Sequence, residues 1–310
     1  MKSQTKLFVV LVVLGLVAPW TGIYTVFLMK CWTFALFAVG FNLLIGYAGL
    51  TSFGHAAFFG GSAYLAGYAM KVLGFPPLLG IATGALSGAV LGLAVGLLAV
   101  RRQGIYFSMV TLALAQMLYF IWLQSPFTHG EDGLQDIPRG QLVPGVDLSD
   151  NFTLYYVVFA VFLIGFCCVW RVVQSPFGQA LNAIRENESR AVSLGYDVTR
   201  YKLGAFVMSA AIAGAAGATK AIVFQLASLT DVHWSMSGEI ILMTLLGGVG
   251  TLLGPVVGAF LVVTLQNELA SRVGPWVQVI LGLVFMLCVY SFRSGIVGAL
   301  KALAARRARP

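Results

Sequence analysis

The residues of this chain that could do chemistry are few and scattered. His55, His129 and His233 lie in three separate segments, and no apolar run holds the clustered acids and bases that acid–base catalysis requires. Cys31, Cys167, Cys168 and Cys288 have neither C-x-x-C nor metal-ligand spacing and read as packed thiols, with no metal site. No G-x-x-x-x-G-K-S/T loop is present, so this sequence offers no phosphate cradle of that kind. These features argue against an enzyme, a metal centre and an ATPase. What remains is a small set of polar residues embedded in apolar sequence: Ser52 and His55, Lys220, and Glu239. Each has two readings. His55 either lines a path or bonds a neighbouring carbonyl in a packed core. Lys220 either faces a substrate carboxylate or snorkels to the interface, and Glu239 either lines a path or sits among headgroups.

The elements that position these residues follow from composition. Hydrophobic residues make up 59% of the 310 and charged residues 10%, and the mean hydropathy is +0.90, which excludes a soluble globule. A hydrocarbon core about 30 Å thick needs roughly 20 apolar residues per helical span. The apolar runs are continuous and not alternating, so they predict helices and not a barrel. The expected fold is all-α: a polytopic integral membrane protein, one transmembrane domain over 1–310, with about ten helices. Spans are predicted at 7–29, 31–50, 54–72, 76–100, 104–123, 152–172, 203–225, 237–250, 251–267 and 274–293. The first has no small-x-small cleavage site and reads as an uncleaved helix.

With the N-terminus inside, most of the 19 Lys and Arg residues fall on the cytoplasmic side, among them Arg101, Arg102, Arg185, Arg190, Arg200 and Lys202. The positive-inside rule is satisfied. This threading makes 124–151 a periplasmic loop, 173–202 a cytoplasmic loop and 294–310 a basic cytoplasmic tail. The eighth span is short, yet parity requires it if the tail is to remain inside. The net charge of +8 is then an orientation signal and not a nucleic-acid footprint.

Glycine recurs every fourth residue at Gly80, Gly84, Gly88, Gly92 and Gly96, and again at Gly250, Gly254 and Gly258, giving two helices a stripe for close backbone packing. Two five-helix halves of opposite orientation, an inverted repeat, would place these ladders in corresponding helices. The stretch "GYAGLTSFGHAAFFGGSAYLAG" at 46–67, which contains Ser52, Gly54 and His55, is a poor uniform helix. So is "SGEIILMTLLGGVGTLLGP" at 237–255, which contains Glu239 and Gly248. Irregular backbone in a membrane is tolerated where protein or a watery cavity satisfies it, so both are candidates for a translocation path.

The polar island "AIRENESRAVSLGYDVTRYK" at 183–202 mixes Glu186, Glu188 and Asp197 with Arg185, Arg190, Arg200 and Lys202. Leu181, Ile184, Ala191 and Leu194 share one side of a predicted short helix, Glu186 and Arg190 form an i,i+4 pair, and Gly195 is a stop signal. Its mixed charge favours a protein partner over lipid headgroups.

The motifs "GLTSFGHAAFFGGSAYLAGY", "RRQGIYFSMVTLALAQ", "DGLQDIP", "SPFGQALNAIRENESRAVSLGYDVTRYKLGAFVMSAAIAGAAGA" and "SGEIILMTLLGGVGTLLGPVVGA" resemble those of the M-type permease subunit of branched-chain amino-acid ABC importers. The resemblance implies that 173–202 is the loop that engages an ATPase, with Ile184, Glu186, Asn187, Glu188, Ala191, Leu194 and Gly195 at its coupling helix. It implies an H-type permease partner, two ATPase subunits that hold ATP and Mg in place of this chain, and a periplasmic binding protein, all at a bacterial inner membrane. In the outer loop "THGEDGL", His129 replaces a customary glycine and Glu131 follows. His129, Glu131, Asp132 and Gly133 are the candidate contacts for the binding protein, and this departure leaves the cargo open among branched-chain or other amino acids, amides, urea and small aromatic acids. An ion-coupled secondary transporter is the competing class, and it would be expected to carry more ion ligands inside its spans than Glu239 alone.

Overall fold

The computed structural model describes residues 2–143, 146–277, 279–283, 286 and 295–298. Its helices are α1 (Lys2–Val17), α2 (Thr25–Asn42, prolonged by a π turn at Leu43–Ala48), α3 (His55–Lys71), α4 (Pro77–Ala99), α5 (Gly104–Gln124), α6 (Asn151–Gln174), α7 (Pro176–Glu186), α8 (Glu188–Ser193), α9 (Val198–Phe224), α10 (Trp234–Gly247) and α11 (Gly254–Val273). A two-stranded hairpin, β1 (Gln141–Val143) and β2 (Val146–Asp147), lies in the 125–150 loop. The fold is all-α and polytopic. Thr25–Ala48, Pro77–Ala99, Gly104–Gln124, Asn151–Gln174 and Val198–Phe224 are each long and apolar enough to cross a membrane. The helices have two ends: a loop end carrying 125–150 and a hairpin end carrying α7 and α8.

Each predicted span before the last has its own helix, with shifted boundaries. The first predicted span, 7–29, is cut short. Pro19 follows α1, Gly22 takes φ +78°, and α2 begins at Thr25; a ring that fixes φ and a left-handed glycine end the run where hydropathy alone would continue it. The seventh span starts at Val198 and so takes in Arg200 and Lys202. The eighth and ninth shift to 234–247 and 254–273. The predicted span 274–293, Cys288 and the tail 294–310 lie mostly outside the described residues, although Gly295 is placed against Gly248 and the Leu245 carbonyl.

Packing explains the glycine ladders. Gly84 abuts Ala218, Gly88 the Ala210 carbonyl and Gly214, and Gly92 Ala210, so α4 lies backbone to backbone on α9, while Gly80 meets Met70 of α3. On α11, Gly258 receives the Met243 carbonyl of α10. Gly250 is not on α11 but in the 248–253 linker, at φ +75°. Helices α2 and α9 pack together at the centre, α3 packs on α4 and α9, and α10 packs on α11 and α2; α4 lies on α9 as α11 lies on α2. Exchanging α2 with α9, α3 with α10 and α4 with α11 maps this set of contacts onto itself, a relation confined to these six helices because the extensive α2–α6 contact has no comparable α9–α1 counterpart among the described residues. Apolar side chains on α4 and α5, such as Leu86, Val90, Ile105, Met109 and Phe120, point outward. That surface suits lipid and not water.

Candidate functional site

The hairpin end is built from local signals. Ser175 caps α7, accepting from the Gly178 amide at 3.4 Å, with Pro176 in the first turn. Asn187 then caps a second helix, its Oδ1 accepting from the Arg190 amide at 3.0 Å. The single predicted helix is therefore two, because an amide side chain at 187 captures the first free N–H groups of the next turn. As a result, no ion pair joins Glu186 to Arg190 among the described residues. Glu188 instead accepts from Lys202 Nζ at 2.7 Å, tying α8 to the base of α9. The stop at Gly195 is present: φ is +87°, and Tyr196 N bonds Ala191 O while Gly195 N bonds Val192 O, the Schellman arrangement.

Ile184, Ala191 and Val198 form a small buried cluster with Tyr201 packed on it, and Leu181 is buried in the main core. Leu194 does not join them. It is 71% exposed, beside exposed Val192 and Tyr196, because the break at Asn187 turns α8 relative to α7. Glu186 and Asn187 are also exposed. The result is a solvent-facing surface of mixed apolar and charged character, held on its inner side by Ile184 and Ala191.

The broken-helix stretch lies one layer deeper. Ser52, Gly54 and His55 are fully enclosed. Its irregular backbone is satisfied by protein: Phe53 N donates to Thr111 Oγ1 at 3.3 Å, Ser108 Oγ to the Thr51 carbonyl at 2.6 Å, and Ala56 N to Ser237 Oγ at 2.9 Å. His55 Nε2 lies 2.9 Å from Ser209 Oγ, which donates to the Gly40 carbonyl at 2.7 Å. The imidazole thus reaches a carbonyl through a hydroxyl, among Phe41, Phe58 and Phe206. Beside this stretch, Gly49, Leu50, Thr51 and Phe53 line an open groove of about 470 Å³ with Gly104, Ser108 and Trp234. Gly248 opens the facing linker, which is pinned to α2: Asn42 Nδ2 donates to the Thr251 carbonyl at 2.9 Å and Gly250 N to Asn42 Oδ1 at 3.0 Å.

Lys220 and Glu239, far apart in sequence, meet in a cavity of about 400 Å³ towards the loop end, lined also by Lys30, Phe34, Phe224, Met236, Asp231 and Gln266. Lys220 is paired with buried Asp231, and its ammonium lies 5.9 Å and 5.8 Å from the centroids of Phe59 and Phe224. Glu239 Oε2 accepts from Gln266 Nε2 at 3.0 Å. Lys30, Asp231 and Gln266 were not sequence candidates. Lys30 lies between the predicted spans 7–29 and 31–50, and the start of α2 at Thr25 places it inside a helix.

At the loop end, His129 joins two short 3-10 turns, the second of which carries Glu131 and Asp132, and all three residues are exposed. His129 holds φ +57°, a left-handed conformation that glycine adopts at less cost. Gly133 is separate from them. It is buried at φ +73°, where a side chain would meet the Ala227 carbonyl, and so it serves the Leu134–Ala227 bridge.

Comparison with known proteins finds relatives among import permeases. The high-affinity branched-chain amino acid transport system permease protein LivM of Salmonella typhimurium is 28% identical over 274 residues, covering 80% of this chain and 64% of that protein. LivM of Escherichia coli gives the same figures. The autoinducer 2 import system permease protein LsrC of Klebsiella pneumoniae is 29% identical over 213 residues, 66% of this chain and 59% of that protein. The chain thus spans slightly less than two thirds of the length of these relatives. No solved structure matches. Residues 23–289 match the family model for the permease component of the branched-chain amino acid transport system, and the chain belongs to that family.

Proposed function

We propose that this chain is a non-catalytic membrane subunit of a binding-protein-dependent importer driven by ATP hydrolysis on two separate ATPase subunits, and that it carries branched-chain or related amino acids across a bacterial inner membrane. The hairpin end is the cytoplasmic side, with both termini there, and the loop end meets a periplasmic binding protein through His129, Glu131 and Asp132. A second, H-type permease completes the membrane domain. The observation that carries this reading is the α7–α8 surface. Val192, Leu194 and Tyr196 are exposed on an element whose opposite side is anchored in the bundle, which is the geometry of a docked lever. Closure of the ATPases would move α7 and α8 and so bias a two-state membrane domain.

Other relatives are named for autoinducer 2 and fructose import. The cavity holding Lys30, Lys220, Asp231 and Glu239 suits a zwitterion, because each charge of the ligand finds a group of opposite sign there. The test is ATP-dependent uptake into vesicles holding the complete complex, with labelled leucine, urea, benzoate and fructose in parallel. Leucine uptake that stops on ATP depletion is expected. Uptake that persists and follows a proton or sodium gradient would overturn the reading in favour of a secondary transporter.

A further inference from the structure

We propose that the cavity between α2, α9, α10 and α11 is a transit site for a free α-amino acid, its carboxylate received by Lys30 and its ammonium by Glu239. This rests on the reading of the chain as an amino-acid permease subunit and adds the residues that hold the cargo.

Four charged side chains line the cavity, but they do not pair off evenly. Lys220 is already bonded to Asp231, which is 1% exposed. Lys30 makes no ion pair within 4.0 Å among the described residues, and Glu239 has only the neutral amide of Gln266 on one oxygen. A cation and an anion therefore face one space without neutralising each other. Asp231 Oδ2, in the same lining, is buried without a hydrogen-bond partner.

Two lysines against two carboxylates leave the lining without net charge. A ligand that brings one charge of each sign preserves that balance, whereas a lone carboxylate or ammonium leaves one charge of the lining unmatched. Phe34, Phe224, Leu226 and Met236 supply the apolar remainder of the wall, which fits an aliphatic side chain. The volume of about 400 Å³ lies within the range of small-ligand sites, roughly 300–1,000 Å³. The location suits transit. Lys220 is one helical turn, about 6 Å, from the end of α9 at the loop end, so cargo released there meets this cavity early.

The test uses the complete complex in vesicles. Met236→Cys places a thiol in the lining, and its reaction with a charged maleimide, above that of the parent chain, is followed with L-leucine, leucinamide, 4-methylpentanoate or D-fructose present. Leucine is expected to slow labelling, while the amide, the deaminated acid and the sugar leave it unchanged. Lys30→Gln or Glu239→Gln should abolish that protection and lower leucine uptake about tenfold, the value of one hydrogen bond to a charged group. Lys30→Arg should retain both. Co-purification of the partner subunits controls for folding, and the labelling result stands even if one variant fails to assemble. Leucine uptake by the Met236→Cys complex with no protection of the introduced thiol, or undiminished uptake by both Gln variants, would overturn the site while leaving the permease reading intact. A parent complex that imports fructose and no amino acid would overturn the amino-acid reading itself.

Discussion

Arg185, on α7, donates from Nη1 to the carbonyl of Gly46 in the π turn that ends α2. The same side chain packs against Gly49, where a Cβ would lie 3.0 Å from its Cγ, and stands beside Gly250, where a Cβ would lie 3.6 Å from Nη1. Gly49 and Gly250 take φ of +70° and +75°, so they mark two places where the helical backbone breaks, after α2 and before α11. One side chain of the proposed coupling element thus touches both breaks. Movement of α7 has a direct route to the backbone that sets the start of α3 and the linker before α11.

Arg185→Ala should therefore uncouple the transporter. A charge-assisted hydrogen bond is worth about 1.5–3 kcal/mol, so uptake per ATP hydrolysed should fall about tenfold or more while the complex still assembles. Simultaneous assay of leucine uptake and phosphate release in vesicles checks this; an unchanged ratio would show that α7 acts through other contacts.

The exposed apolar surface of α8 predicts a different failure. Leu194→Asp combined with Glu186→Ala should prevent stable association with the ATPase or separate hydrolysis from transport, with membrane insertion intact. Affinity purification through the ATPase and membrane fractionation measure the two. Full association with normal uptake would remove α8 as the docking element.

Asn42 is 1% exposed and holds two backbone groups of the 248–253 linker. Asn42→Leu leaves the Thr251 carbonyl and the Gly250 amide without that partner, at about 1–3 kcal/mol each. A lower melting temperature in detergent is expected, together with faster proteolysis at the linker.

The α4–α9 contact sets a contrast between glycines. At Gly88 a Cβ would meet the Ala210 carbonyl and lie 3.0 Å from Gly214 Cα, whereas at Gly238 it would meet nothing within 4 Å. Gly88→Val should destabilise by roughly 1–3 kcal/mol or more by forcing two backbones apart, and Gly238→Ala should be neutral or mildly stabilising. Thermal unfolding of both variants decides it.

At the loop end, Asp150 caps α6, accepting from the amides of Thr153 and Phe152. These bonds hold its carboxyl below the usual carboxylate range. A lowered folded pKa stabilises above the unfolded value and is lost as pH falls through the folded one. Asp150→Asn, which keeps a capping oxygen, should flatten the acid side of the stability profile, and Asp150→Ala should lower stability at neutral pH.

What could be read directly from the sequence was whatever depends on near neighbours along the chain. The apolar runs, the glycine ladder from Gly80 to Gly96, the polar island at 183–202 and the stop at Gly195 all have local causes: hydropathy over a helix length, a four-residue period, a left-handed glycine. Lys220 and Glu239 stand out because charge is rare in such runs, yet taken alone Lys220 reads first as a snorkelling cation and Glu239 as a headgroup carboxylate. Their role as parts of one cavity depends on Lys30, Asp231 and Gln266, brought together by the packing of α2, α9, α10 and α11. Lys30 was hidden by a span boundary that Pro19 and Gly22 move. The break at Asn187 is local, its side chain capping the Arg190 amide, whereas the exposure of Leu194 and the bond from Arg185 to Gly46 depend on which groups compete for the same carbonyls and apolar surface. That competition involves residues distant in sequence, so it was decided only when the helices packed.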